Sequence, residues 1–192
     1  MSYLANAGQL LVGFIFSALI GLFVFRLLAE ACRADFHNPL SQFLYRTTNP
    51  VLAPVRRAIP NWRRVNLAAL LVAWVLQMLE IALNFALMGA APAIGGLLLL
   101  GVAELADFIA LVYLVLVFAW ALMSMLGTSP VHPVARLLTC MVEPAVRPVR
   151  RRMPSLGGLD FSPAVVMLLL ALARILLIQP LIDLGTRLAL GG

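Results

Sequence analysis

Residues 49–60 read NPVLAPVRRAIP, and residues 143–154 read EPAVRPVRRRMP. The same proline-and-arginine phrase occurs twice, 94 positions apart. Sliding the chain by that distance aligns the surrounding loops without a gap. Pro39 falls on Pro133, Leu44 on Leu138, Pro50 on Pro144, Pro54 on Pro148 and Pro60 on Pro154. Val55, Arg56 and Arg57 fall on Val149, Arg150 and Arg151, and Asn66 falls on Asp160, so a helix-capping residue stands at the end of each loop.

The phrase sits in apolar surroundings. Of the 192 residues, 63% are hydrophobic and only 11% charged, with a mean hydropathy of +1.02. A soluble domain carries about 25% charged residues, so this composition identifies an integral membrane protein. Four apolar stretches run from about Gln9 to Leu28, Leu67 to Leu87, Leu97 to Met125 and Pro163 to Ile182. Each is long enough to cross ~30 Å of hydrocarbon as a helix. The third is too long for a perpendicular span; either it tilts, or Pro92, Gly95 and Gly96 mark a break with a short re-entrant piece. The N-terminus, MSYLANAGQ, lacks a basic region and a small-residue cleavage site, so the first stretch reads as a retained helix.

Arginine placement predicts orientation. The net charge is +6 and every basic residue other than histidine is arginine. Arg33, Arg46, Arg56, Arg57, Arg63 and Arg64 lie between the first and second stretches; Arg136, Arg147, Arg150, Arg151 and Arg152 lie between the third and fourth. The other links carry none. Basic loops stay in the cytoplasm, which predicts two cytoplasmic loops and two periplasmic termini in a bacterial inner membrane. The expected fold is therefore all-α and membrane-integral. It has four spans in two parallel repeats, residues 1–89 and 90–192, each with a basic loop between its spans.

Within each loop, Leu40, Phe43, Leu44 and Thr47, and then Val134, Leu137, Leu138 and Met141, recur at helical spacing behind a proline. These predict short amphipathic helices in the headgroup layer. Pro50, Pro54, Pro144 and Pro148 are expected to end those helices and hold an extended path. Arg56, Arg57, Arg147, Arg150, Arg151 and Arg152 then become candidate contacts for anionic lipid or partners, at about 1 kcal/mol of attraction each. The alternative is that they set topology alone.

Polar residues inside the spans form a second candidate set. Gln77, Glu80 and Asn84 share one helical face, and Glu104 and Asp107 form a second acidic pair. Glu80 and Arg174 are 94 apart and lie roughly 17 to 20 Å from the cytoplasmic face. A charge at that depth requires a partner, which predicts a Glu80–Arg174 contact. Such a network either fixes helix packing or carries a proton or cation. Gly13, Ser17 and Gly21 give a small-residue stripe suited to close helix approach, within the chain or between two copies.

The loop pattern, ending in Gly157-Gly158-Leu159-Asp160-Phe161-Ser162-Pro163, resembles the YggT family over nearly the whole chain. The second copy matches most closely; in the first, Asn61-Trp62-Arg63-Arg64-Val65-Asn66 replaces a glycine-rich turn and an aspartate. The resemblance implies a small membrane protein without established enzymatic activity, linked in bacteria to osmotic stress, ion handling and cell division. Plastid relatives assist haem attachment to a b-type cytochrome. His37 and His132 precede loop prolines but are not equivalents under the repeat.

No hydrolase, zinc-protease, C-x-x-C or phosphate-cradling motif occurs. The basic charge reports membrane orientation in a chain like this, so nucleic acid is not an expected partner. Three functions remain open. The leading one is a non-enzymatic envelope-organising or osmotic-stress factor, without cofactor, that contacts anionic lipid and other membrane proteins and can self-associate. The second is an ion- or osmolyte-conducting oligomer, and the third a haem-assembly factor.

Overall fold

The computed structural model describes residues 3–59, 61, 65–126, 132–152 and 160–191. Pro60, Trp62, Arg63, Arg64, Pro154, Gly157 and Gly158 lie outside them. The described chain is helical: α1 (Tyr3–Ala31), α2 (Pro39–Ala58), α3 (Leu67–Leu87), α4 (Ile94–Met125), α5 (Pro133–Arg150), α6 (Ser162–Ala173), a π-helical turn (Arg174–Ile178) and α7 (Gln179–Ala189). Helices α1, α3 and α4, and the continuous run Ser162–Ala189, are long and apolar enough to cross a membrane.

α4 is one unbroken helix of 32 residues, about 48 Å long, so it exceeds the hydrocarbon thickness without a re-entrant break. Gly96 belongs to its packing. A β-carbon there would collide with the backbone of Leu188 and Ala189, and Ala93 N–H donates to the Ala189 carbonyl at 2.9 Å. Small residues let the start of α4 and the end of α7 touch through their backbones. The stripe on α1 likewise faces inward: Gly13 packs against Glu80 on α3, and Gly21 against Phe108 on α4. It is an intramolecular seam.

The π turn precedes Pro180, which has no N–H to give. There the Gln179 N–H reaches the Arg174 carbonyl, five residues back.

The loop helices are longer than the sequence predicts. α2 continues through Pro50 and Pro54, and α5 through Pro144 and Pro148; extended backbone after α2 begins only at Ile59. All four prolines are exposed and stand four residues apart in each helix. The missing donors therefore fall along one outer stripe. Each proline costs about 3 kcal/mol in a helix interior, and burial of the opposite face offsets it. That face carries Ser41, Leu44, Thr48 and Leu52 in α2, and Met141, Val142 and Val146 in α5. Leu52 and Val146 are repeat equivalents, both fully buried, and each closes the base of its own pair of spans. Leu40, Phe43 and Thr47, expected on a common face with Leu44, are exposed; so is Val134, while Leu137 and Leu138 are partly covered.

Both N-terminal caps come from the residue before a proline. Asn38 Oδ1 accepts from Leu40 N at 3.0 Å, and His132 Nδ1 accepts from Val134 N at 3.3 Å. Asn38 Nδ2 also donates to the Pro133 carbonyl at 2.7 Å, tying α2 to α5. Asn66 caps α3 through Ala69 N, and Asp160 accepts from Ser162 N at the start of α6.

Candidate functional site on the basic side of the bundle

Each repeat brings three of its elements together at the base of its span pair. In the first, Arg26 of α1 is 1% exposed, although it arises inside an apolar span. Its guanidinium stacks on the Tyr45 ring, 3.2 Å from the centroid. Its Nη2 reaches Glu30 Oε1 at 2.6 Å, and Arg56 Nη2 donates to the same oxygen at 2.6 Å. One carboxylate thus serves two guanidiniums. Arg26 Nε, Arg26 Nη1 and Arg56 Nε are buried without an acceptor. Burial pushes the Tyr45 phenol above its ordinary range, and the nearby Arg26 charge pulls it partly back.

The sequence reading missed Arg26, Glu30 and Tyr45. A signal was available: an arginine within an apolar run, followed four residues later by a glutamate, is an i,i+4 pair. The link from α1 to α2 contains a further network. Asp35 accepts from the His37 backbone at 2.9 Å and contacts its Nδ1 at 3.1 Å, and Arg136 of α5 reaches it at 3.2 Å. Hydrogen bonds from His37, first from its backbone N–H, hold the Asp35 carboxyl below the usual range. The two histidines therefore serve different local structures, His37 beside Asp35 and His132 as a helix cap.

In the second repeat the equivalent contacts are neutral or exposed. Trp120 Nε1 donates to Thr139 Oγ1 at 3.1 Å, and the Arg150 guanidinium lies over the Trp120 ring at 5.2 Å. Arg150 also binds Asp160 at 2.7 Å and approaches Glu143 at 3.8 Å. Partial burial raises the Asp160 pKa, but hydrogen bonds from Ser162 and Arg150 outweigh it and hold the carboxyl below its ordinary value. Arg57, Arg147, Arg151 and Arg152 are exposed and form no ion pair among the described residues. Arg56 and Arg150 are the members of the sequence-predicted basic set that the fold engages.

Cys140 Sγ donates to the Cys32 carbonyl at 3.0 Å, so the two thiols, 108 residues apart, share one site. Burial, together with the neighbouring Cys140, pushes the Cys32 thiol up to about 12. It is therefore a poor nucleophile at neutral pH.

Within the spans, the predicted Glu80–Arg174 contact is absent. Arg174 instead makes a bidentate pair with Asp107 of α4, at 2.7 and 2.8 Å. The repeat supplies the reason. Asp107 and Arg174 occupy the positions of Gly13 and Glu80, and Gly13 is the residue that faces Glu80. Each span pair closes within its own half, so matched depth does not bring the equivalents together. Glu80 accepts from Gln77 Nε2 at 3.1 Å and lines a cavity of about 330 Å³ with Gln77, Asn84, Glu104 and Thr186. Asp107 and Glu104 are thus separated: one is paired with a cation, the other faces the cavity.

A family model described as CCB3/YggT matches residues 5–87 and again 99–181. An uncharacterised protein YggT of Escherichia coli K12 is 34% identical over 163 residues, covering 82% of this chain and 84% of that protein. An uncharacterised protein of Vibrio alginolyticus from the region 3' of proC is 34% identical over 176 residues, 90% and 94% of the two chains. One of Haemophilus influenzae is 31% identical over 161 residues, 84% and 86%. No solved structure matches. Taken with four membrane-length helices arranged as a repeat, these matches place the chain in the CCB3/YggT family.

Proposed function

We propose that this protein is a non-catalytic organising factor of the bacterial inner membrane, acting in envelope or osmotic-stress responses through a basic platform that engages anionic lipid and membrane partners. One observation carries the reading: α2 and α5 lie side by side on one face of the bundle and present Arg57, Arg147, Arg151 and Arg152 outward. The same platform leaves Leu40, Phe43 and Val51 of α2 exposed. Apolar side chains flanked by unpaired guanidiniums suit the boundary between headgroups and acyl chains. By the distribution of arginine, that face is cytoplasmic.

The test is reconstitution of the full chain in nanodiscs containing either phosphatidylcholine alone or phosphatidylcholine with phosphatidylglycerol. Thermal stability should rise with the anionic lipid, and the rise should shrink when Arg57, Arg147, Arg151 and Arg152 are changed to glutamine. An equal melting temperature in both lipids would overturn the reading.

A second reading, ion or osmolyte conduction, draws on the polar cavity between α3, α4 and α7. Its lining includes Glu80, Glu104 and the Asn84 side chain, whose oxygen is buried without a donor. Liposome flux that E80Q abolishes while the protein stays folded would favour conduction over the platform.

A further inference from the structure

We infer that the first repeat contains a built phosphate-binding site, in the cavity between the end of α1 and the start of α2. This rests on the reading that the basic side meets anionic lipid, and it names where one headgroup is held. The cavity has a volume of about 700 Å³, and its lining includes Arg33, Arg56, Tyr45, Asn61 and Glu30.

Charge balance is the first argument. Around this space stand four guanidiniums, of Arg26, Arg33, Arg56 and Arg136, against two carboxylates, Glu30 and Asp35. Arg26 lies behind the wall, stacked on Tyr45, and its charge is not hydrated because it is 1% exposed. A buried guanidinium that shares its only carboxylate is unfavourable unless another anion completes it.

The donors are the second argument. Arg56 lines the cavity, and its Nε has no acceptor. The phosphodiester of a headgroup offers acceptor oxygens only, and its two non-bridging oxygens match the paired N–H groups of a guanidinium fork.

Backbone conformation is the third. Arg33 is the only non-glycine residue with positive φ among the described residues, at 56°. That left-handed conformation is unfavourable for an ordinary residue and is normally left to glycine. The residue 94 positions on is Gly127. The first repeat has an arginine at a position that the backbone would give to glycine, and this arginine lines the cavity without an ion pair among the described residues.

The second repeat is the built-in control. Arg26, Glu30 and Tyr45 are replaced there by Trp120, Ser124 and Thr139, and Arg150 has its own carboxylates. The arginine–glutamate–tyrosine cluster beside the cavity therefore belongs to the first repeat.

Native mass spectrometry of the full chain in detergent, with added phosphatidylglycerol or phosphatidylcholine, tests this. Wild type should retain one phosphatidylglycerol, and R33G and R56Q should each bind it about tenfold or more weakly, as expected for loss of a charge-assisted bond. R33G relieves a strained backbone position, so it should fold at least as well as wild type and separates binding from stability. Displacement of the lipid by millimolar inorganic phosphate would support the phosphate site and identify free phosphate as a competing source of the ligand. Retention by R33G and R56Q at the wild-type level would overturn the site. If only the R57Q/R147Q/R151Q/R152Q variant then lost lipid, the platform reading would stand without the cavity; if no variant did, both would fall.

Discussion

At the base of the first repeat, two arginines share one part-buried glutamate and a tyrosine stacks on the buried arginine; at the base of the second, a tryptophan, a threonine and a half-exposed arginine stand at the equivalent positions of the repeat. The scaffold beneath them is shared. Leu52 and Val146 plug equivalent gaps, Thr48 and Val142 lie one turn earlier, and both loop helices run through a pair of exposed prolines. The difference shows that duplication preserved packing and allowed the polar chemistry to diverge. One copy holds a tight charge cluster beside a cavity, and the other a neutral aromatic contact whose arginine faces the surface. A similar divergence occurs within the spans, where the Asp107–Arg174 pair of the second half corresponds to Gly13 and Glu80 of the first.

The most severe way to break the first-repeat cluster is E30Q. It leaves the buried Arg26 and the part-buried Arg56 without a carboxylate and should lower stability by about 3 to 5 kcal/mol. Installing the second-repeat residues together, R26W with E30S and Y45T, should recover much of that loss, because the fully buried Arg26 charge is removed along with its carboxylate and only the part-exposed Arg56 is left unpaired. Unfolding in detergent, followed by circular dichroism, checks both variants. A mild E30Q phenotype would mean that the guanidiniums are compensated elsewhere.

Within the spans, D107N removes one side of a bidentate pair and should cost about 2 to 3 kcal/mol, whereas E80Q should cost less than about 1 kcal/mol, because Glu80 faces no cation among the described residues. The same unfolding assay measures this pair, and equal costs would contradict the closed-half arrangement.

The smallest effect concerns Asp160 and Arg150. The folded Asp160 carboxyl has a lower pKa than its unfolded counterpart, so the contact contributes stability above the unfolded value, near pH 4, and loses it as pH falls through the folded value. Both side chains are well exposed, so the contribution is less than about 1 kcal/mol. D160N should flatten stability against pH below about pH 4 by that amount. An unchanged acid limb would remove this contact from the comparison.

Much of the architecture was legible in the chain itself. Span length and apolarity are local properties set by helix rise and bilayer thickness, so all four spans could be read from sequence, the second to the residue. The repeat was legible because prolines, arginines and caps recur in an ungapped register. The cap at Asn66 followed from residue type and position alone. The polar pairings were not legible. Equal depth suggested Glu80 with Arg174, but depth is one coordinate, and the packing of α6 against α4 decided for Asp107. The loop prolines misled for the same reason. Alone, they forbid a helix; in the fold, burial of Thr48, Leu52, Val142 and Val146 outweighs the lost hydrogen bonds, and the prolines face outward.

Sequence by itself thus determined the membrane class, the spans, the duplication and the basic side, because those depend on composition and on spacing along one chain. Tertiary structure alone decided that Arg26 and Arg56 share Glu30, that Arg33 borders the same cavity, and that Asp107 rather than Glu80 holds Arg174. Such choices depend on which faces of different helices meet. Side-chain packing sets that geometry, and it has no local signature in the order of residues.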